Sequence, residues 1–241
     1  MRYGIISDVH GNLPALEAVL SILEKQEIDK YFCIGDLVDY GANPKECIRI
    51  IKELNCLCVA GNHDWAVLGK IDIAYFSVDA QAAAVWTKAC LSQEERDYLN
   101  TFELTYRNDD FILVHGTLDQ PERFKYLKDI QKASETFPLM DRQVCFVGHS
   151  HIQKIFVNLD SGPLEAMSDE IELEEGYKYI VNIGSVGQPR DGNPFASYCV
   201  YDTDKKMIDI RRTNYDIGKA QESIVKAGLP KSLAQRLAFG R

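Results

Sequence analysis

Short apolar runs alternate with longer amphipathic stretches through the first half of the chain. Residues 2–7, 31–34, 57–60, 111–114 and 144–147 are apolar at nearly every position and read as strands buried on both faces of a sheet. Helical spacing recurs between them. In 14–26 the apolar positions Leu16, Val19, Leu20 and Leu23 fall on one face, and 45–54 repeats the pattern. Residues 77–100 read as helical, with Ser92 and Glu95 forming a capping box that starts a new helix. After Ile152 the texture changes to strands without obvious crossover helices, at 153–159, 177–183, 196–202 and 207–213, followed by helical patterns at 220–227 and 231–239. No repeat or low-complexity linker interrupts the chain. The pattern predicts one α/β domain over 1–241, with strand-rich sheet covered by helices.

Composition narrows this. Of the 241 residues 46% are hydrophobic and 26% charged, which is ordinary for a globular protein and excludes disordered, collagen-like and disulfide-miniprotein classes. Twenty-seven Lys and Arg against 36 Asp and Glu leave a charge of −9. The broad basic footprint that binds phosphate backbones by counterion release is missing, so no nucleic-acid partner is expected. The stretch 160–175 holds seven acidic residues and no basic one, and reads as a solvated loop or hairpin tip. Seven cysteines without CxxC spacing sit mostly in apolar runs and read as small buried hydrophobes. No apolar run approaches the ~18 residues of a membrane span. The chain starts directly in a strand pattern with no signal-peptide layout, so a cytoplasmic, reducing location is expected.

The chemistry is concentrated. Each of the five histidines, His10, His63, His115, His149 and His151, follows an apolar strand pattern in a segment rich in Gly, Asp or Asn. The segments are Ser7-Asp-Val-His-Gly-Asn12, Gly35-Asp-Leu-Val-Asp39, Gly61-Asn-His-Asp64, Val114-His-Gly116 and Gly148-His-Ser-His151. Strand ends of open sheets are where functional side chains collect. In extended backbone, residues two apart share a side, so Asp8 with His10, and His149 with His151, can each share a ligand position. Each piece alone reads as a turn or a helix cap; together the five use every histidine of the chain. Carboxylate, imidazole and amide donors suit a pair of borderline divalent ions better than an oxygen-only magnesium site.

In this order the segments resemble the calcineurin-like metallophosphoesterase superfamily, whose pattern is D-x-H, G-D-x-x-D, G-N-H-[DE], a single His before Gly, and G-H-x-H. The resemblance runs from Asp8 to His151 with no ligand missing. It implies a four-layer αββα sandwich of two facing β-sheets flanked by helices. It implies two divalent metal ions, manganese first, with iron, zinc, nickel or cobalt as alternatives. One ion is assigned to Asp8, His10, Asp36 and His151. The other is assigned to Asp36, Asn62, His115 and His149, so Asp36 bridges the pair. His63 is then the catalytic residue that protonates the leaving oxygen or stabilises its charge, oriented by Asp64. Asp39 shares the Asp36 turn and reads equally as a turn-stabilising side chain or as support for the metal site.

The implied activity is hydrolysis of small soluble phosphoesters, diester or monoester, by attack of a hydroxide held between the ions. Nucleotide-derived compounds such as dinucleoside polyphosphates are included. Tyr40 stands where protein phosphatases of the superfamily carry a phosphate-gripping Arg, and Asp64 stands where they usually have Glu, which argues against phosphoprotein substrates. The loop Gly184-Ser-Val-Gly-Gln-Pro-Arg190 is similar to that of the small bacterial and archaeal phosphoesterases. Arg190 reads equally as a contact for a second phosphate or as a surface partner of Asp191. Tyr40, Trp65, Phe195 and Tyr198 are expected in core or rim packing. The alternatives are a nuclease of the same superfamily and a non-catalytic protein-binding scaffold. A complete ligand set with His63 argues against the scaffold; the charge and the short chain argue against the nuclease.

Overall fold

The computed structural model describes residues 1–241. Its strands are β1 (Arg2–Ile6), β2 (Lys30–Cys33), β3 (Leu57–Cys58), β4 (Thr105–Arg107), β5 (Phe111–Val114), β6 (Val144–Val147), β7 (Gln153–Leu159), β8 (Gly162–Ala166), β9 (Glu170–Glu172), β10 (Lys178–Ile183), β11 (Ala196–Asp202) and β12 (Met207–Thr213). They form two six-stranded sheets, ordered β3-β2-β1-β11-β12-β9 and β4-β5-β6-β10-β7-β8. Both are mixed. β1, β2 and β3 run parallel in the first sheet, and β5, β6 and β10 in the second. The helices are α1 (Leu13–Leu23), α2 (Pro44–Glu53), α3 (Asn62–Leu68), α4 (Val78–Cys90), α5 (Gln93–Asn100), α6 (Ile130–Thr136), α7 (Ile217–Lys226) and α8 (Lys231–Leu237).

The alternation of strand side chains builds four layers. Tyr3 and Ile5 of β1 and Phe32 of β2 meet Phe111 and Leu113 of β5 and Val144 and Phe146 of β6 between the sheets. The intervening residues turn outward. Ile6 and Cys33 pack with α1, α2, α7 and α8, whereas Ile112, Val114, Cys145 and Val147 pack with Ala133 of α6 and with Phe137 and Met140 after it. Each fully buried Phe or Leu contributes about 1.5–3 kcal/mol, so the interleaved core fixes register as well as stability. Five of the seven cysteines are buried, two are half-buried, and none is bridged. No helix is long and apolar enough to cross a membrane.

As the capping box predicts, the 77–100 stretch divides: the extended backbone of Leu91 ends α4 before Ser92 caps α5. Two departures from the sequence expectation have physical causes. Strand 57–60 is hydrogen-bonded as a strand only over Leu57–Cys58; Val59 continues as an isolated bridge to Glu103. The acidic 160–175 stretch is a hairpin turn only at its start. Beyond it, β8 and β9 form the outer edge of each sheet. In β9 the acidic residues alternate with Ile171, which packs on the inter-sheet core, and Leu173 follows, buried. Charge on an edge strand discourages pairing with another chain, which accounts for the acidic bias.

Candidate metal centre

The five chemistry-bearing segments leave the C-terminal ends of β1, β2, β3, β5 and β6, so two sheets deliver their side chains into one cleft. The backbone there is not extended. Asp8, His10, Asp36, Asp39, Tyr40, His149 and His151 all have φ between 50° and 78°. They are seven of the chain's twelve non-glycine residues with positive φ, and backbone strain of this kind collects at functional sites. Each left-handed residue re-aims its side chain, and the expected pairing of His149 with His151 does not hold: the two reach different clusters.

One cluster gathers Asp8, His10, Asp36 and His151; the other gathers Asp36, His115 and His149. All are buried, and Asp36 belongs to both. His151 Nε2 lies 3.1 Å from Asp8 Oδ1, and His115 Nε2 lies 3.1 Å from Asp36 Oδ2. His10 Nε2 is 3.7 Å from Asp36 Oδ2 and 3.2 Å from His151 Nε2. Three rings are held from behind by main-chain carbonyls. Nδ1–H of His10 donates to Val38 at 3.2 Å, that of His115 to Ile34 at 2.6 Å, and that of His151 to Gln188 at 2.6 Å. Carbonyls only accept, so those protons sit on Nδ1, every Nε2 faces inward, and in neutral His10 and His151 it carries a lone pair. The Nε2 lone pairs of His10 and His151 therefore face each other, an arrangement that a shared cation relieves.

The carboxylates are tethered by one oxygen each. Asp8 Oδ2 accepts from Ser7 Oγ at 2.5 Å and from the His149 N–H at 3.1 Å; Asp36 Oδ1 accepts from the His63 N–H at 2.8 Å. The other oxygens, Asp8 Oδ1 and Asp36 Oδ2, are buried without a hydrogen-bond partner, as are Asn62 Oδ1 and His115 Nε2. Leaving one such atom unsatisfied costs about 1–3 kcal/mol. Four of them converge in the cleft, and divalent ions are the partners this donor set fits.

Electrostatics agree with the donor set. Burial alone would raise Asp8, but His151 and His115 hold it below the ordinary carboxylate range. Asp36 is held down in the same way, by His115 and His63 against burial. Burial keeps His10, His149 and His151 below the usual histidine value, in the neutral form that ligates metal. His115 goes the other way, to about 9: burial lowers it, but the charges of Asp36 and then Asp8 prevail.

His63 stands beside the clusters, its ring centroid 5.0 Å from that of His10. Its orienting partner is Asp39, not Asp64: Nδ1 lies 2.5 Å from Asp39 Oδ2. The Asp64 carboxylate instead accepts the backbone N–H groups of Gly61, Asp36, Leu37 and Val38 at 3.0, 2.9, 3.0 and 3.4 Å. At the third position of α3 it reaches back over the helix N-terminus, which takes it out of reach of the ring. Burial and then the charge of Asp36 push its carboxyl up to about 7 against those N–H bonds. His63 itself is raised, because Asp36 and Asp39 outweigh burial.

The 184–190 loop locks onto this site. The Ser185 hydroxyl and the Gly187 N–H both donate to the Asp8 carbonyl, and the Arg190 N–H donates to the His151 carbonyl. Asp191 pairs with Arg212, not Arg190, whose side chain turns to Gln188 and the Tyr40 ring instead. Tyr40 and Tyr198 are buried, Trp65 is half-buried against Phe124, and Phe195 is exposed. Sequence reasoning missed Phe76, 4.8 Å from His63, Tyr126, stacked on His149 at 3.9 Å, and Arg236, all of which line the cleft. None lies in a strand-end motif, and only the fold brings them near.

Comparison with known proteins gives a family model, the calcineurin-like phosphoesterase superfamily domain, that matches residues 1–206. An uncharacterised protein of Methanocaldococcus jannaschii is 44% identical over 241 residues, covering 98% of this chain and 97% of that protein. Phosphodiesterase YfcE of Escherichia coli K12 is 24% identical over 218 residues, 85% of this chain and 89% of that protein. The crystal structure of a metallophosphoesterase from Sphaerobacter thermophilus superposes with a TM-score of 0.89 at 37% identity, covering 100% of this chain and 99% of that one.

Proposed function

Because the chain belongs to the calcineurin-like phosphoesterase superfamily, a family of metal-dependent hydrolases, we propose that residues 1–241 form one catalytic domain that hydrolyses small soluble phosphoesters. The observation that carries the reading is the convergence of four unpartnered buried polar atoms on Asp8, Asp36, Asn62 and His115. Asp8, His10, Asp36 and His151 would hold one divalent ion, and Asp36, Asn62, His115 and His149 a second. Mn²⁺ is our first choice because imidazole donors favour softer ions than Mg²⁺. Bound there, such ions supply charge against the phosphoryl oxygens and lower the pKa of water.

The chain's own residues do the rest. Asp39 holds the Nδ1 proton of His63, so the proton that moves is the one on Nε2, toward the departing oxygen. The raised proton affinity of His63 keeps that proton available. Val38, Ile34 and Gln188 carbonyls fix the rings of His10, His115 and His151. The relative named as a phosphodiesterase supports a diester as first substrate.

A side-by-side rate comparison tests this. Metal-reconstituted protein is offered a nitrophenyl monoester, a nitrophenyl diester, a dinucleoside polyphosphate, a cyclic nucleotide, a phosphopeptide and single-stranded DNA. Fastest turnover is expected among the small esters. Faster cleavage of DNA, which the −9 charge should repel most at low salt, would overturn the choice of substrate class. No turnover of any compound would favour a scaffold.

A further inference from the structure

A cavity of about 590 Å³ opens beside the metal centre, with Asn62, His63 and His149 on its wall together with two guanidinium groups, those of Arg190 and Arg236. That volume is within the usual ~300–1,000 Å³ range of small-molecule sites. Arg190 is held from two directions. Its Nε and Nη2 donate to Gln188 Oε1 at 3.2 and 2.6 Å, and its guanidinium carbon lies 5.7 Å from the Tyr40 ring centroid. The Tyr40 ring in turn packs 4.7 Å from His10 and 4.6 Å from His63. Tyr40 thus fixes beside His63 a guanidinium carried by a different segment.

Arg236 arrives from α8, in the part of the chain beyond the residues matched by the family model. Its Nε donates to the main-chain oxygen of Arg241 at 2.6 Å, which orients the group while its terminal nitrogens stay free of hydrogen bonds. Neither arginine pairs with an Asp or Glu side chain. Asp191 pairs with Arg212, and Asp79 takes a hydrogen bond from Ser232. Asp72 and Glu122 on the cavity rim pair with neither. Arg236 also loses proton affinity, through burial and then through the like charge of Arg190. Two half-buried like charges facing one cavity repel each other, and a fork of N–H donors suits phosphate oxygens.

We propose that Arg190 and Arg236 form a subsite for a second phosphate, so that the substrate is an organic compound with linked phosphates: one at the metal centre, its neighbour between the two guanidiniums. This rests on the phosphoesterase reading and narrows it to a substrate class. It also gives α8 a part in recognition besides its packing.

The test uses two non-hydrolysable probes, methylphosphonate and methylenediphosphonate, titrated calorimetrically into metal-loaded protein, with metal content checked afterwards. Wild type should bind the diphosphonate at least tenfold more tightly. Arg236→Gln and Arg190→Gln should each reduce that preference about tenfold, and Arg236→Lys, which keeps the charge, should restore part of it. Thermal melts of the variants confirm that they are folded. No preference in wild type, or a preference that survives both Gln variants, would overturn the subsite. So would equal weakening of both probes, which would place the arginines on the phosphate at the metals. If wild type prefers the diphosphonate yet hydrolyses no ester, the phosphoesterase reading fails and the subsite does not.

Discussion

Asp39 accepts the Nδ1 proton of His63 at 2.5 Å, while Asp64, next to His63 in the chain, binds four backbone N–H groups. The two carboxylates should therefore separate cleanly. Asp39→Asn should lower kcat about 10–100-fold with little change in melting temperature, as loss of a ring-orienting partner usually does. Asp64→Ala leaves buried N–H groups unpaired and should cost about 1–3 kcal/mol in urea unfolding. The reverse pattern would contradict the assignment. His63→Ala should keep metal bound and reduce the rate by roughly 10²–10⁴. Its effect should be larger for alkyl esters than for nitrophenyl esters, whose leaving groups need little protonation. An equal loss across leaving groups would mean that His63 positions substrate and does not deliver a proton. The family resemblance gave the orienting role to Asp64. The left-handed backbone at Asp39, φ 78°, decides for Asp39, and nothing in the residue string announces it.

The strand-to-loop corners depend on backbones that approach closely. A Cβ added at Gly61 would lie 2.0 Å from Asp36 Oδ1, and one at Gly148 would lie 2.2 Å from Ser7 Oγ, whose hydroxyl holds Asp8. Gly61→Ala should therefore push Asp36 from its place, and because Asp36 serves both clusters, both ions should be lost together. Metal analysis after gel filtration checks this, and two ions retained per chain would refute it. At this scale the strands were legible because 111–114 and 144–147 are apolar at every position, the mark of burial on both faces. The edge strands β8 and β9 were not: β8 opens on Gly162 and Pro163, which read as a turn, and the acidic residues of β9 hide the alternation of Ile171 and Leu173. For α8 the spacing of Leu233 and Leu237 marks the packed face, but a helical period does not say that Arg236 would meet Arg190 across a cleft.

The molecule as a whole carries a charge of −9 and gathers seven of its twelve positive-φ non-glycine residues and four of its seven unpartnered buried side-chain atoms at one place where two sheets meet. Metal should then be part of its stability. A ligand at 100 times its Kd adds about 2.7 kcal/mol, which for a chain of this size is a rise in Tm on the order of 5–10 °C. Calorimetric melts with and without chelator measure it, and identical melts would show that the clusters bind no metal. The overall layout was legible because the five segments keep their order along the chain; the carbonyls that hold the histidine rings were not, because contacts such as Gln188 to His151 join residues 37 positions apart. The most direct measurement is hydrolysis of a nitrophenyl phosphodiester by chelated protein titrated with Mn²⁺. The account predicts no turnover in chelator, a rise that levels off near two equivalents per chain, and poor recovery with Mg²⁺ alone. Full turnover in excess chelator would contradict it.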